Sequence, residues 1–98
     1  TLGARRVTPK AYDYATTRNI LPWVVSDTAA VEACIRFSED HNVLVEPSCG
    51  ASLSPVYERA SVIAAARSVL VIVCGGSGVS IDKPMGLRRD LNQSAPMP

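Results

Sequence analysis

The residues with most capacity for chemistry are three cysteines, one histidine, one glutamate and a glycine-rich turn. Cys34, Cys49 and Cys74 are odd in number and show no C-x-x-C spacing, so they describe neither a disulfide framework nor a zinc site. Unpaired cysteines of this kind fit a reducing, cytoplasmic setting. A nucleophilic thiol needs a lowered pKa and a nearby base. Cys49 stands close to an expected helix start, but His41 is the only histidine, and its neighbours Glu39, Asp40 and Asn42 mark a solvated helix end. Cys34 falls on an apolar helical stripe and reads as a small core residue. Gly75-Gly76-Ser77-Gly78 could cradle a phosphate if it opened a helix. Ile81 stands where the dinucleotide motif needs its third glycine, Asp82 follows too soon to be the ribose acid, and no lysine matches a P-loop. On spacing alone it is a turn that ends a strand.

Those residues must be positioned by recognisable elements. Thr8-Pro9 is a helix start: a capping hydroxyl, then a residue whose missing N–H has no helical partner to lose. The helix continues over Lys10 to Arg18. Pro22 limits the next apolar run to a strand over Trp23–Val25. Ser26 and Asp27 offer caps for a helix from about Thr28 to Asp40, with Val31, Cys34, Ile35 and Ser38 on one stripe. A second strand is expected at Val43–Val45, and Glu46-Pro47-Ser48 ends it. Ser48 can cap a helix from Cys49 through Arg59, which Pro55 should kink or cut short. Alanine-rich Ser61 to Arg67 also reads as helical. Ser68–Cys74, a continuous branched-aliphatic run, has the pattern of a central parallel strand. After Ile81, Pro84 and Gly86 leave little helix, and residues 93–98 read as a frayed tail.

Composition agrees with one small α/β unit. The 98 residues are 47% apolar, with only five aromatics, which favours aliphatic layers. Ten basic against nine acidic residues leave a net charge of +1, too little field for a nucleic-acid backbone. No apolar run reaches 18 residues, so no membrane span is expected, and no secretory leader is visible. Three strands make a meagre sheet, and Ser68–Cys74 wants neighbours on both sides. The expectation is therefore a portion of a larger domain. In open parallel sheets ligands bind at the carboxyl ends of strands. That places Val45 to Ala51 and Val73 to Gly78 on the rim.

Two stretches, Leu44 to Tyr57 with its Glu46-Pro47-Ser48-Cys49-Gly50-Ala51 string, and Val69 to Ser77 with Val71-Ile72-Val73-Cys74-Gly75-Gly76, together resemble the C-terminal third of the L-serine/L-threonine dehydratases. The likeness runs from Leu2-Gly3 through Val24-Val25-Ser26-Asp27 to about Leu91 and favours the serine dehydratase branch. It implies an α/β fold, the C-terminal portion of an open parallel-sheet, three-layer domain of the tryptophan-synthase-β type. Residues 1–92 would be part of the large domain that binds pyridoxal 5′-phosphate. The implied reaction is β-elimination, converting L-serine to pyruvate and ammonia in amino-acid catabolism, which feeds gluconeogenesis; L-threonine is the other substrate. Cys74 would hydrogen-bond the cofactor's pyridine nitrogen. A thiol is a weak, normally neutral partner there and leaves the nitrogen largely unprotonated, unlike an aspartate. Gly75 and Gly76 would let the backbone approach the ring. Glu46 would either stand close to the cofactor or act as an acceptor that fixes the loop. The backbone carbonyls of Leu2 and Ala4 match positions that hold a monovalent cation, usually potassium. A homodimer is implied for the full-length enzyme.

The chain departs from the family pattern in one decisive respect. The Schiff-base lysine, the carboxylate-binding loop and the glycine-rich phosphate loop belong to the N-terminal region of such enzymes, and neither Lys10 nor Lys83 matches the lysine. The 98 residues alone are therefore expected to be inactive. The rival expectation is a non-catalytic small α/β binding module derived from the same fold. The enzymatic reading falls if the Cys74 sulfur is buried among aliphatic groups, walled off from any open crevice.

Overall fold

The computed structural model describes residues 4–76 and 78–94, and these contain four helices. Helix α1 (Pro9–Thr17) starts where Thr8 and Pro9 predict: the Thr8 hydroxyl accepts from the Ala11 N–H at 3.2 Å. It buries none of its residues. Helix α2 (Asp27–His41) is capped by Ser26, whose hydroxyl accepts from the Ala29 N–H at 3.1 Å. It ends at Asn42 in the left-handed conformation, φ 55°. Helix α3 (Pro47–Tyr57) begins earlier than its serine suggests; Glu46 is the N-cap and makes no side-chain capping bond. Pro55 lies inside α3, removing the bond to the carbonyl one turn back, and the helix stops two residues later. Helix α4 (Asp82–Ser94) closes the described chain.

The core sits where α2 crosses α3. Ala33 and Cys34 meet Val45, Cys49 and Leu53, with Phe37, Tyr57 and Val71 packed around them. Gly50 makes this crossing close. A Cβ there would overlap the carbonyl oxygen of Ala30 and lie 2.7 Å from Cys34 Sγ. Helix α4 packs on α2 and is tied to it by Arg88, whose guanidinium donates to both carboxylate oxygens of Glu32 at 2.5 and 2.8 Å.

The expected parallel sheet does not form, so the α/β, open-sheet assignment is corrected to an all-helical arrangement among the described residues. The apolar runs at 23–25, 43–45 and 68–74 are non-helical and make no ladder with one another. Among the described residues the second and third runs share a backbone hydrogen bond only past their ends, where the Glu46 N–H donates to the Gly75 carbonyl at 3.3 Å. The physical reason is that a branched-aliphatic run encodes a preference for burial, whereas a strand also needs a partner in register along its length. Leu70 and Ile72 are 91% and 72% exposed. The alanine-rich stretch is not an α-helix either. Successive i→i+3 bonds from Ile63, Ala64 and Ala66 make it a series of turns. Conversely α4 is longer than Pro84 and Gly86 suggest. Pro84 falls in its first turn, where an N–H has no intrahelical acceptor.

Candidate functional site

The site is built where the two singled-out strings meet. Residues 44–46 run against Gly75 and Gly76 so closely that a Cβ on Gly76 would lie 3.0 Å from the Glu46 nitrogen, the Leu44 oxygen and the Val45 Cα. Gly76 therefore serves this backbone-to-backbone approach. Gly75 is different: its φ is +104°, and a Cβ placed there would meet nothing within 4 Å. Its left-handed backbone, and not crowding, asks for glycine.

Hydrogen bonds fix both peptides. The Glu46 carbonyl accepts from the Cys49 and Gly50 N–H groups at 2.9 and 3.2 Å, and from the Cys34 thiol at 3.2 Å. The Gly75 carbonyl accepts from the Glu46 N–H at 3.3 Å and from the Cys49 thiol at 3.3 Å. Cys34 and Cys49 are buried and reduced; Cys74 is exposed and reduced. Burial pushes the Cys34 thiol above its ordinary range; a backbone hydrogen bond from Gly50 opposes this, and Cys49 and Glu46 add smaller upward contributions. Cys34 is thus held as the neutral thiol that can donate to a carbonyl. No ring nitrogen stands beside either buried sulfur in a hydrogen bond. His41 lies at the end of α2 with its ring tilted 42° against Phe37, centroids 4.6 Å apart.

Glu46 is half-buried and lines a cleft of about 350 Å³ between the starts of α2 and α3 and the face of α4. Asp27 and Ser48 share that cleft; Ala30, Val31, Leu87 and Leu91 give it an apolar floor and wall. Cys74 is not among its lining residues. The structure thus brings Glu46 and Gly75 together through the backbone and leaves the Cys74 side chain solvent-facing beside them. Ala4 is exposed, and Leu2 lies outside the described residues. Among the described residues no group of three or more His, Cys, Asp or Glu side chains could hold a metal. No described helix is long and apolar enough to cross a membrane. Sequence reasoning missed the thiol-to-carbonyl bonds and the α4 wall. The only advance signal was the Leu87/Leu91 spacing, one helical turn apart.

Comparison with known proteins bears on this geometry. No family model matches the chain. It is 43% identical over 84 residues to the L-serine dehydratase of Dictyostelium discoideum, covering 83% of this chain and 24% of that protein. It is 39% identical over 101 residues to the serine dehydratase-like protein of Rattus norvegicus, covering 95% of this chain and 31% of the relative. With the L-serine dehydratase/L-threonine deaminase of Bos taurus the identity is 36% over 98 residues, 92% of this chain and 30% of the relative. The chain spans only about a quarter to a third of the length of these relatives. Over most of its own residues the chain is thus similar to a part of L-serine dehydratases and L-serine dehydratase/L-threonine deaminases.

Proposed function

We propose that this chain supplies one wall of the cofactor site in a pyridoxal-phosphate-dependent L-serine/L-threonine ammonia-lyase, working in the cytoplasm on amino-acid catabolism. The observation that carries the reading is an exposed thiol, Cys74, followed by a glycine in left-handed conformation whose outer side is open. A flat aromatic ring can approach such an edge without meeting a side chain at Gly75. The donor chemistry also fits: an S–H group is a weak donor suited to a ring nitrogen that stays unprotonated. Pyridoxal phosphate, when bound, withdraws electrons from the substrate's α-carbon so that its proton and then its β-hydroxyl can leave.

The chain's own residues do three things in this scheme. Cys74 would offer its S–H to the ring nitrogen as a weak donor. The Gly75 and Gly76 backbone keeps that edge thin, packed on residues 44–46. Glu46, through its backbone, anchors the edge to α3, and it lines the cleft together with Asp27 and Ser48. A monovalent cation held by the carbonyls of Leu2 and Ala4 belongs to the same proposal. So do a homodimer in the whole enzyme and the assignment of residues 1–92 to the cofactor-binding domain.

The test is complementation. The chain alone, given L-serine and pyridoxal phosphate, should form no pyruvate. Combined with the part of the Dictyostelium enzyme outside the match, it should form pyruvate. Cys74→Ala in that assembly should lower kcat roughly tenfold, the scale of a lost hydrogen bond to a reacting group. Turnover by the chain alone, or full activity in Cys74→Ala, overturns the reading.

A further inference from the structure

Cys49 takes no part in the chemistry above, yet it is buried and its sulfur is committed to a single acceptor. That acceptor is the carbonyl of Gly75, 26 residues away in sequence and immediately after Cys74. We infer that Cys49 is a positioning residue: its thiol, together with the Glu46 N–H, clamps the Gly75 peptide and so determines where the Cys74 sulfur stands. The inference rests on the dehydratase reading only for its catalytic consequence.

The argument follows from what holds Gly75 and what does not. With φ at +104° and nothing within 4 Å of where a side chain would be, this residue has no side-chain packing and is held through its backbone alone. A glycine backbone can populate a wide range, and each change in its φ or ψ swings the chain on either side. Beside the close backbone approach at Gly76, two hydrogen bonds to the Gly75 carbonyl supply the directional restraint. Both donors come from well-fixed places. Cys49 is in the first turn of α3 and packs in the core with Val45 and Leu53. Glu46, which donates through its N–H, is held at its carbonyl by the Cys34 thiol and by two amides of α3. Order therefore passes from the α2–α3 core through Cys49 to Gly75, and from Gly75 to its neighbour Cys74.

A thiol suits this task because it is small, apolar enough for a core, and still able to donate. Alanine at the same place would fill most of the space and give no donor. Serine keeps the donor on a shorter bond.

The test uses the full 98-residue chain as wild type, Cys49→Ala and Cys49→Ser, with amide hydrogen exchange and the carbonyl carbon shift of Gly75 read by NMR. Exchange at Ile35, in the middle of α2, reports whether the core is intact. The expected result is protection of the Glu46 amide in wild type, exchange roughly fivefold faster in Cys49→Ala, and recovery in Cys49→Ser, with Ile35 unchanged. The Gly75 carbonyl shift should move in the alanine variant and return in the serine variant. If Cys49→Ala also loses protection at Ile35, Cys49→Ser decides. Glu46 protection and the Gly75 shift kept in the serine variant support the inference; their loss with Ile35 intact overturns it. An unprotected Glu46 amide in wild type, or an unchanged Gly75 shift in an intact Cys49→Ala, overturns it as well. In the complemented enzyme the alanine variant should lower kcat at unchanged KM for serine, with serine restoring it; an unchanged kcat overturns the positioning of Cys74. Failure of the dehydratase reading shows separately, as no pyruvate from the wild-type complement.

Discussion

At the scale of single residues, the three thiols divide by environment. Cys74 faces water, while Cys34 and Cys49 are buried and donate to carbonyls. The Cys34 thiol, displaced upward chiefly by burial, links its ionisation to folding. The unfolded thiol ionises at the ordinary value, about pH 8.5, and the folded one only at higher pH. The unfolded state therefore loses its proton first as pH rises. Stability from this group is fully present below about pH 8.5 and is lost as pH climbs toward the folded value. Tyr57 adds to the same trend further up, since burial and its bond to Asp40 raise its phenol as well. Unfolding free energy should therefore fall between pH 8 and 10. In Cys34→Ser, which keeps a donor for the Glu46 carbonyl without a titrating thiol, that fall should be shallower. Equal slopes in denaturant titrations across this range would remove Cys34 from the account.

Among the elements, helix starts were legible because capping is local. Thr8-Pro9 and Ser26 mark α1 and α2 to within a residue, and the Cys34 stripe does face the core. Strands were not legible, because aliphatic character reports burial and says nothing of a ladder partner. The alanine-rich stretch after Arg59 has intrinsic propensity but is short, and Arg59 itself is left-handed, φ 51°. Helix α4 was hidden by Pro84 and Gly86, whose cost depends on position within the helix. At the site, the meeting of Val45–Glu46 with Cys74–Gly75 could be expected from two apolar runs ending in unusual residues. The thiol bonds could not, since they depend on the distance between α2, α3 and a remote turn. Glycine makes the contrast between elements measurable. Gly50→Ala drives a methyl into the Ala30 carbonyl and Cys34 at the α2–α3 crossing, and should cost about 3 kcal/mol. Gly86→Ala meets no atom within 4 Å in mid-α4 and should stabilise by roughly 0.5–1 kcal/mol. Thermal or urea unfolding of the two variants checks both signs. A neutral Gly50→Ala would mean the helices do not cross at this residue in solution.

The whole molecule shows how much apolar surface is left without a neighbour. Its accessible area is 7,859 Å², whereas a compact protein of 10.4 kDa exposes about 5,400 Å². Its radius of gyration, 14.9 Å, likewise exceeds the roughly 13 Å of a compact chain of this length. The aliphatic runs contribute to the excess: Val24 is 95% exposed, and Leu70 and Ile72 are 91% and 72% exposed. An unfolded chain of this mass exposes about 15,000 Å², so folding hides roughly 7,200 Å² where a compact domain would hide roughly 9,700 Å². The denaturant slope m scales with that difference. In urea the isolated chain should unfold with a slope about three-quarters of that of a compact domain of equal mass. Adding the complementary part of a dehydratase should raise both slope and midpoint, because a partner that covers these runs binds the folded state alone. Circular dichroism at 222 nm against urea, with and without that partner, reads both quantities. A full compact-domain slope for the chain by itself would mean that Val24, Leu70 and Ile72 close onto the rest of the molecule in solution, leaving no face for a partner to cover.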